Sequence, residues 1–451
     1  MKRIFAMVLA CMLLLGCSSL SALADDVVTL RVWAGIQPEY GYDTLIENFN
    51  AAFKDKGIQA EYTRYVNNAD GNLQVNTFLM GGGEIDVLIG YGTDRLKTRV
   101  EGGYLVDLTD MMAAAGFDPV AELGEANTVP YTIDGKYYGL NTKYENSNYL
   151  FVNVDMFKAA GIEIPYDGWT YSEFREVAKK LTQGEGFDKI YGMYWNYNSG
   201  PNYSRGFCRN ILDEYAMYKN LECTESNFND PLTIKGVQLM VDTMRTDMSA
   251  PSVEDEKADS MSIQTMFLGG KCAMALGISQ LRLVKDLATY PHDFTTAIVP
   301  MPVPDETFED KTWSFLAGAG DIISIASSCE HKDAAFEFLL WYVKGGMNPL
   351  ARGGRIPLWK GTDANEVAAA LMDGAEGVFE LTSLQNYINI DKTNTTMLLD
   401  HPEWALAEIT AIYNEEFENA LYGMKTVEAA MNDATTRSND AISLAIKNAA
   451  N

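Results

Sequence analysis

Histidine is scarce in this chain: three among 451 residues (His292, His331 and His401), far apart from one another. No HExxH, GxSxG or P-loop pattern occurs, so metallohydrolase, serine hydrolase and ATPase chemistry lack support. Cysteine is sparse too, and none of the six forms a CxxC pair, which argues against a metal site or a redox dithiol. Basic residues are outnumbered, 35 Lys and Arg against 62 Asp and Glu, giving a net charge of −27. Such a field repels nucleic acid and anionic membrane surfaces and disfavours a polyanionic ligand. Beyond the N-terminal segment no apolar run reaches about 18 residues, so no transmembrane helix is expected.

What is present describes a folded, exported protein. The apolar fraction of 47% and charged fraction of 22% are those of an ordinary globular chain. The length is about twice what one hydrophobic core organises, so two lobes are expected. Residues 1–16 pair a basic head, Met1-Lys2-Arg3, with an apolar run too short to span a bilayer comfortably. Leu14-Leu15-Gly16-Cys17 has the form of a lipobox, which would make Cys17 the lipidated mature N-terminus, with residues 17–26 as a tether. Ala22-Leu23-Ala24 offers ordinary signal cleavage instead; the lipobox is preferred because Gly16 and Cys17 directly close the apolar run. Losing Lys2 and Arg3 with residues 1–16 moves the net charge from −27 to −29. Cys208 and Cys223 are either joined in a small loop or, with Cys272 and Cys329, buried thiols.

Strands and helices alternate along the mature chain. Val28, Leu30 and Val32 alternate with Thr29 and Arg31 up to Trp33, a strand; Leu45, Ile46, Phe49 and Phe53 then fall at helical spacing before Gly57. Further strands are expected at 58–66, 85–89, 272–276, 294–299 and 322–325, and a long extended stretch at 137–152. Thr170-Tyr171-Ser172-Glu173 is a capping box that opens a helix. This alternation predicts a parallel sheet covered on both faces, with ligand beyond the carboxyl ends of its strands, in the loops after Trp33 and Gly90.

Several motifs follow one another in a recognisable order. Gly83-Glu84-Ile85-Asp86-Val87, Gly103-Tyr104-Leu105-Val106-Asp107-Leu108 and Asp134-Gly135-Lys136-Tyr137-Tyr138-Gly139-Leu140 come first. Phe151-Val152-Asn153-Val154-Asp155-Met156-Phe157 with Ala160-Gly161-Ile162, then Gly168-Trp169-Thr170 with Glu173-Phe174, come next. Phe267-Leu268-Gly269-Gly270-Lys271-Cys272-Ala273-Met274 and Ala334-Ala335-Phe336-Glu337-Phe338-Leu339 complete the series. In this order the chain resembles the extracellular solute-binding proteins of carbohydrate ABC importers, the group that includes maltose-binding protein. Two departures stand out: Asn141 replaces a usual proline, and Ile278-Ser279-Gln280 occupies a segment where the family often places a sugar-stacking tryptophan.

The resemblance implies a periplasmic-binding-protein-like α/β fold, two α/β lobes joined by a multi-crossing hinge and closing on ligand. Lobe one is expected at 27–143 with 318–395, and lobe two at 147–315 with 400–451. It further implies an ABC permease and ATPase as partners, a cell-membrane location outside the cytoplasm, no cofactor, no catalysis and a monomeric state.

A sugar presents C–H faces and a belt of hydroxyls, complemented by aromatic planes and by carboxylates, amides and guanidinium. Candidates in loops facing the expected cleft are Trp33, Gln37, Glu39 and Tyr40, then Tyr91 and Asp94. At the first crossing stand Lys143, Tyr144, Glu145 and Asn146; in lobe two, Trp195, Asn196, Tyr197, Gln280 and Trp313. Arg352 and Arg355 flank Gly353-Gly354, with Arg355 the candidate and a surface ion pair the plainer role for both. Each aromatic has the alternative of packing in a core, and Asp94 that of capping a helix. The expected function is capture of a sugar or oligosaccharide for delivery to a permease. A peptide, polyamine or other small solute is the alternative ligand, and a carbohydrate-active enzyme the more distant one, since no motif singles out a catalytic carboxylate pair.

Overall fold

The computed structural model describes residues 27–128, 131–144, 149–197, 217–220, 222–277, 280–307, 315–316, 321–389, 395–396 and 404–450. Two sheets carry the fold. Their strands are β1 (Val28–Ala34), β2 (Ile58–Arg64), β3 (Val87–Tyr91), β4 (Leu140–Asn141), β5 (Tyr149–Asn153), β6 (Tyr191–Tyr194), β7 (Cys272–Leu276), β8 (Thr296–Pro300) and β9 (Asp321–Ile325). The first sheet has the order β2-β1-β3-β9-β4 and the second β8-β5-β7-β6.

The first sheet is mixed rather than wholly parallel. β1 runs parallel to β2 and β3, whereas β9 runs antiparallel to both β3 and β4. The strand returns from the second sheet instead of arriving over a local crossover helix, which is why its direction is reversed. The extended stretch expected at 137–152 is broken into Leu140–Asn141, Lys143–Tyr144 and Tyr149–Asn153, since it changes sheets on the way.

Side-chain alternation sets the layers. Leu30, Val32 and Ala34 of β1 enter one apolar cluster, while Trp33 turns to the other face with Leu88 and the helix Ala69–Gly81. In the second sheet Phe151, Ala275 and Ile298 face that same first cluster, and Leu150, Val152, Met274 and Val299 face a second. The second cluster is closed by the helices Tyr171–Leu181, Pro231–Val241, Leu406–Leu421 and Val427–Ala449. Glu416, almost wholly buried there, accepts from Lys425 Nζ and Arg437 Nη1, both at 2.6 Å, and so ties the last two helices together.

The chain changes sheets between β4 and β5, between β8 and β9, and again after the helix Ala364–Met372. In this last passage Thr296 N–H donates to Val378 O at 2.7 Å, Glu380 N–H to Thr296 O at 2.8 Å, and Ile298 N–H to Ser383 Oγ at 3.0 Å. The helix Leu381–Asn389 that follows packs on β8. This segment, expected with lobe one as part of 318–395, hydrogen-bonds along the open edge of β8, while its helix also packs on Ala364–Met372.

An ion pair braces the first sheet. Asp86, just before β3, accepts from Arg31 backbone N–H, Nε and Nη2, each at 2.8 Å. Burial pushes the Asp86 carboxyl upward, but the Arg31 bonds win and hold it below the usual aspartate range. A depressed folded value contributes stability that is present above the unfolded pKa, about 4, and is lost as pH falls through the lower folded value. Asp86→Asn is therefore expected to lower stability at neutral pH and flatten the acid limb of a stability–pH curve measured by urea titration.

Candidate ligand-binding site

The carboxyl ends of β1 and β3 are fastened by tyrosines. Gly35 N–H donates to Tyr91 Oη at 3.0 Å, and a Cβ at Gly35 would lie 3.0 Å from that ring, so a side chain there would press the ring aside. The Tyr62 hydroxyl donates to Ile36 O and to Ala34 O, and the Tyr65 hydroxyl donates to Ile89 O at 3.1 Å. Burial raises the Tyr65 phenol to about 12, and raises Tyr91 further, with Asp321 adding to the shift. Both remain neutral hydrogen-bonding groups at physiological pH.

Asp321 opens β9 directly opposite Tyr91 in the sheet register. Its backbone carbonyl accepts from Thr142 N–H and Oγ1, and its carboxylate, 5% exposed, accepts from Arg355 Nε at 2.7 Å. Burial pulls the Arg355 pKa down, but Asp321 and the tyrosines more than reverse it, so the guanidinium stays charged.

Arg355 is delivered by the turn Asn348–Gly353 and by Gly354, whose φ of 80° is the left-handed conformation glycine favours. That turn lies close to both halves. A Cβ at Gly353 would lie 2.7 Å from the Tyr40 Cβ, and one at Gly354 3.5 Å from Arg282 N, in the short helix Leu281–Lys285 of the second half. Gln280 immediately precedes this helix, with its Oε1 buried and accepting no hydrogen bond among the described residues.

Of the residues expected from sequence, Tyr40, Tyr91, Gln280 and Arg355 thus gather around one turn. Gln37 and Glu39 lie close by in sequence, Gln37 half-buried before the helical turn Pro38–Tyr40 and Glu39 exposed within it. Asp94 is exposed on the first turn of Thr93–Glu101. Arg352 pairs with Asp373 at 2.6 Å. Glu145, Asn146, Trp313 and Cys17 lie outside the described residues, as does Cys208; Cys223, Cys272 and Cys329 are buried.

Three aromatic candidates take the packing alternative. Trp33 packs 5.0 Å from Phe78 between sheet and helix. Trp195, 1% exposed, packs against Phe174 and donates from Nε1 to Thr243 Oγ1 at 2.8 Å, inside the second cluster. Tyr197 donates to Glu418, with Lys257 Nζ 5.3 Å from its ring, so it belongs to the C-terminal helices. Tyr144 is buried at the crossing, 5.8 Å from Tyr387. Sequence reasoning missed Asp321, Thr142 and Tyr62. An acid leading the apolar strand 321–325 was the available signal for Asp321, since a buried carboxylate needs a cationic partner.

Two sheet-centred α/β halves, crossed more than once by the chain and meeting at a turn rich in glycine and arginine, define a solute-binding fold. Residues 37–344 match the model of the bacterial extracellular solute-binding protein family, and the chain belongs to that family of binding proteins. An uncharacterized lipoprotein from the oleD 5′ region of Streptomyces antibioticus is 27% identical over 74% of this chain and 70% of its own length. The sn-glycerol-3-phosphate-binding periplasmic protein UgpB of Escherichia coli is 22% identical over 92% of this chain and 93% of its own. A sugar transporter from Rhizobium etli, crystallised in an open conformation, superposes with a TM-score of 0.67 at 20% identity, covering 92% of this chain and 99% of that one. The fold is therefore that of the periplasmic binding proteins.

Proposed function

We propose that this protein captures a sugar or oligosaccharide between its two halves, without chemical change, and delivers it to an ABC permease. In this role it sits outside the cytoplasm, held at the cell membrane by lipid on Cys17. The observation that carries the ligand site is the Arg355–Asp321 pair set among Tyr40, Tyr91 and Tyr62, beside the helix that follows Gln280. Aromatic surface and fixed hydrogen-bonding groups together match the faces and rim of a pyranose.

A phosphorylated polyol, suggested by the likeness to a glycerol-3-phosphate-binding relative, fits less well. The Arg355 charge is already matched by Asp321, and the mature chain's excess of acid works against an anion. Ligand drives closure only through contacts that differ between the open and closed forms.

A thermal-shift screen against monosaccharides, oligosaccharides, peptides, polyamines and glycerol 3-phosphate tests the ligand class. A sugar present at 100-fold its Kd is expected to stabilise the fold by about 2.7 kcal/mol. Stabilisation by a peptide or polyamine, with none by any sugar, would overturn the sugar assignment, and mass spectrometry of recovered ligand showing turnover would overturn capture without chemistry. Cys17→Ser is expected to release the protein from the membrane fraction into the soluble one. Retention on membranes would refute lipid anchoring at this position.

A further inference from the structure

A groove of about 320 Å³ lies between the helix Tyr42–Ala52, the end of the helix Lys332–Trp341 and the loop after Ile356–Pro357. It borders the turn that carries Arg355 through Asn348 and Pro349, but its lining includes none of Tyr40, Tyr91, Gln280, Asp321 or Arg355. Local sequence builds it. The helix Lys332–Trp341 runs on into a wider turn, Tyr342–Gly346, broken at Lys344 (ψ 36°) and Gly345 (φ 113°). A φ of that sign strains any residue with a side chain, so Gly345 is what lets Trp341 and Asn348 border one space.

Both tryptophans that line the groove are held firmly. A Cβ at Gly346 would come within 2.4 Å of the Trp341 ring, and one at Gly361 within 2.4 Å of the Trp359 ring, so each indole lies directly over a glycine. Trp341 meets Phe49 edge-on at 5.2 Å, and Trp359 Nε1 donates to Glu122 Oε2 at 2.7 Å. Asn348, 4% exposed, also lines the groove; its Oδ1 is buried and accepts no hydrogen bond among the described residues. A buried acceptor left without a donor is costly, and such groups are ordinarily satisfied by protein, water or ligand. Asp363, Glu366 and Lys344 border the same space, two acids to one base, so a net anion gains little there.

We propose that this groove is a second solute site, taking one pyranose ring of a carbohydrate independently of the site at Arg355. The indoles offer aromatic surface to the C–H faces of the ring, Asn348 Oδ1 accepts from a ring hydroxyl, and Glu366 accepts from another. The volume stands at the small end of the range for ligand pockets, about 300–1,000 Å³, which suits one sugar ring rather than a chain of several.

Fluorine NMR of protein labelled with fluorotryptophan tests this by location. The chain has 7 Trp, and Trp341→Phe and Trp359→Phe assign the two resonances that matter. An equimolar mixture of the methyl glycosides of glucose, galactose, mannose and xylose is titrated in, with choline as a parallel organic-cation arm. The Trp341 and Trp359 resonances are expected to shift together, and Asn348→Ala to raise the midpoint roughly tenfold. Glu366→Lys, an exposed substitution that spares the fold, is expected to weaken the same response. Resonances unmoved by the glycosides, moved by choline alone, or moved equally in Asn348→Ala and wild type would each overturn the proposal. Sugar-dependent thermal stabilisation that persists beside unmoved Trp341 and Trp359 resonances would sink this site while leaving capture at Arg355 standing.

Discussion

Replacing Arg355 with alanine is expected to cost about 3–5 kcal/mol of stability and to weaken ligand capture at least about 30-fold. The first effect follows from what is left behind. The Asp321 carboxylate, 5% exposed, would lose the Nε donor at 2.7 Å and stay buried without a counter-charge. The second follows from position, since the turn carrying Arg355 lies close to both Tyr40 and the helix after Gln280. Stability and binding separate in the double variant Arg355→Met with Asp321→Leu. Apolar replacement of both partners is expected to recover most of the lost stability, because a buried pair adds little beyond what a well-packed apolar pair provides. Binding should not recover. Wild-type affinity in Arg355→Ala, measured by calorimetry on the folded protein, would remove this residue from the site.

Trp195→Ala is expected to do the opposite: a loss of about 3–5 kcal/mol in stability, with the affinity of the folded protein unchanged. The indole fills space beside Phe174 in the second cluster, and its Nε1 is already spent on Thr243 Oγ1 at 2.8 Å. Truncation opens a large cavity inside the second cluster. Urea titration reads the first effect and ligand titration below the unfolding range reads the second. A tenfold loss of affinity with the stability intact would place Trp195 at the ligand after all.

These two residues also show what the amino-acid order could and could not convey. Strands declared themselves wherever burial left no ambiguity: 272–276 was expected and found, because a strand buried on both faces is a continuous apolar run. The capping box was legible for a similar local reason, and Thr170 and Glu173 exchange both bonds. Which face of a strand looks into a cleft is not local. Met193 and Trp195 point into the second cluster while Tyr194 between them points into the first, and period-two alternation names two faces without saying what lies beyond either. The face taken by Trp33 was hidden for the same reason. Arg355 was singled out from its glycine-rich setting, with an ion pair as its plainer role, whereas Asp321, 34 positions away, acquires meaning only through pairing with it across the fold. The change of β9 to antiparallel was hidden for a related cause, as strand direction depends on the path the chain takes back from the other sheet.

The stitching of Val378–Ser383 to β8 bears on how the halves can part. The helix Ala364–Met372 packs both on the turn Asn348–Gly353 and on the helix Leu381–Asn389, where Gln385 Nε2 donates to Asn365 Oδ1 at 2.6 Å, so this passage is tied to both sheets at once. The two helices are joined by the residues from Asp373 to Glu380, the first of them held by Arg352 at 2.6 Å. Gly374 and Gly377 there already adopt φ of 75° and 84°, backbone settings from which a small rotation about one residue becomes a large excursion of everything beyond it.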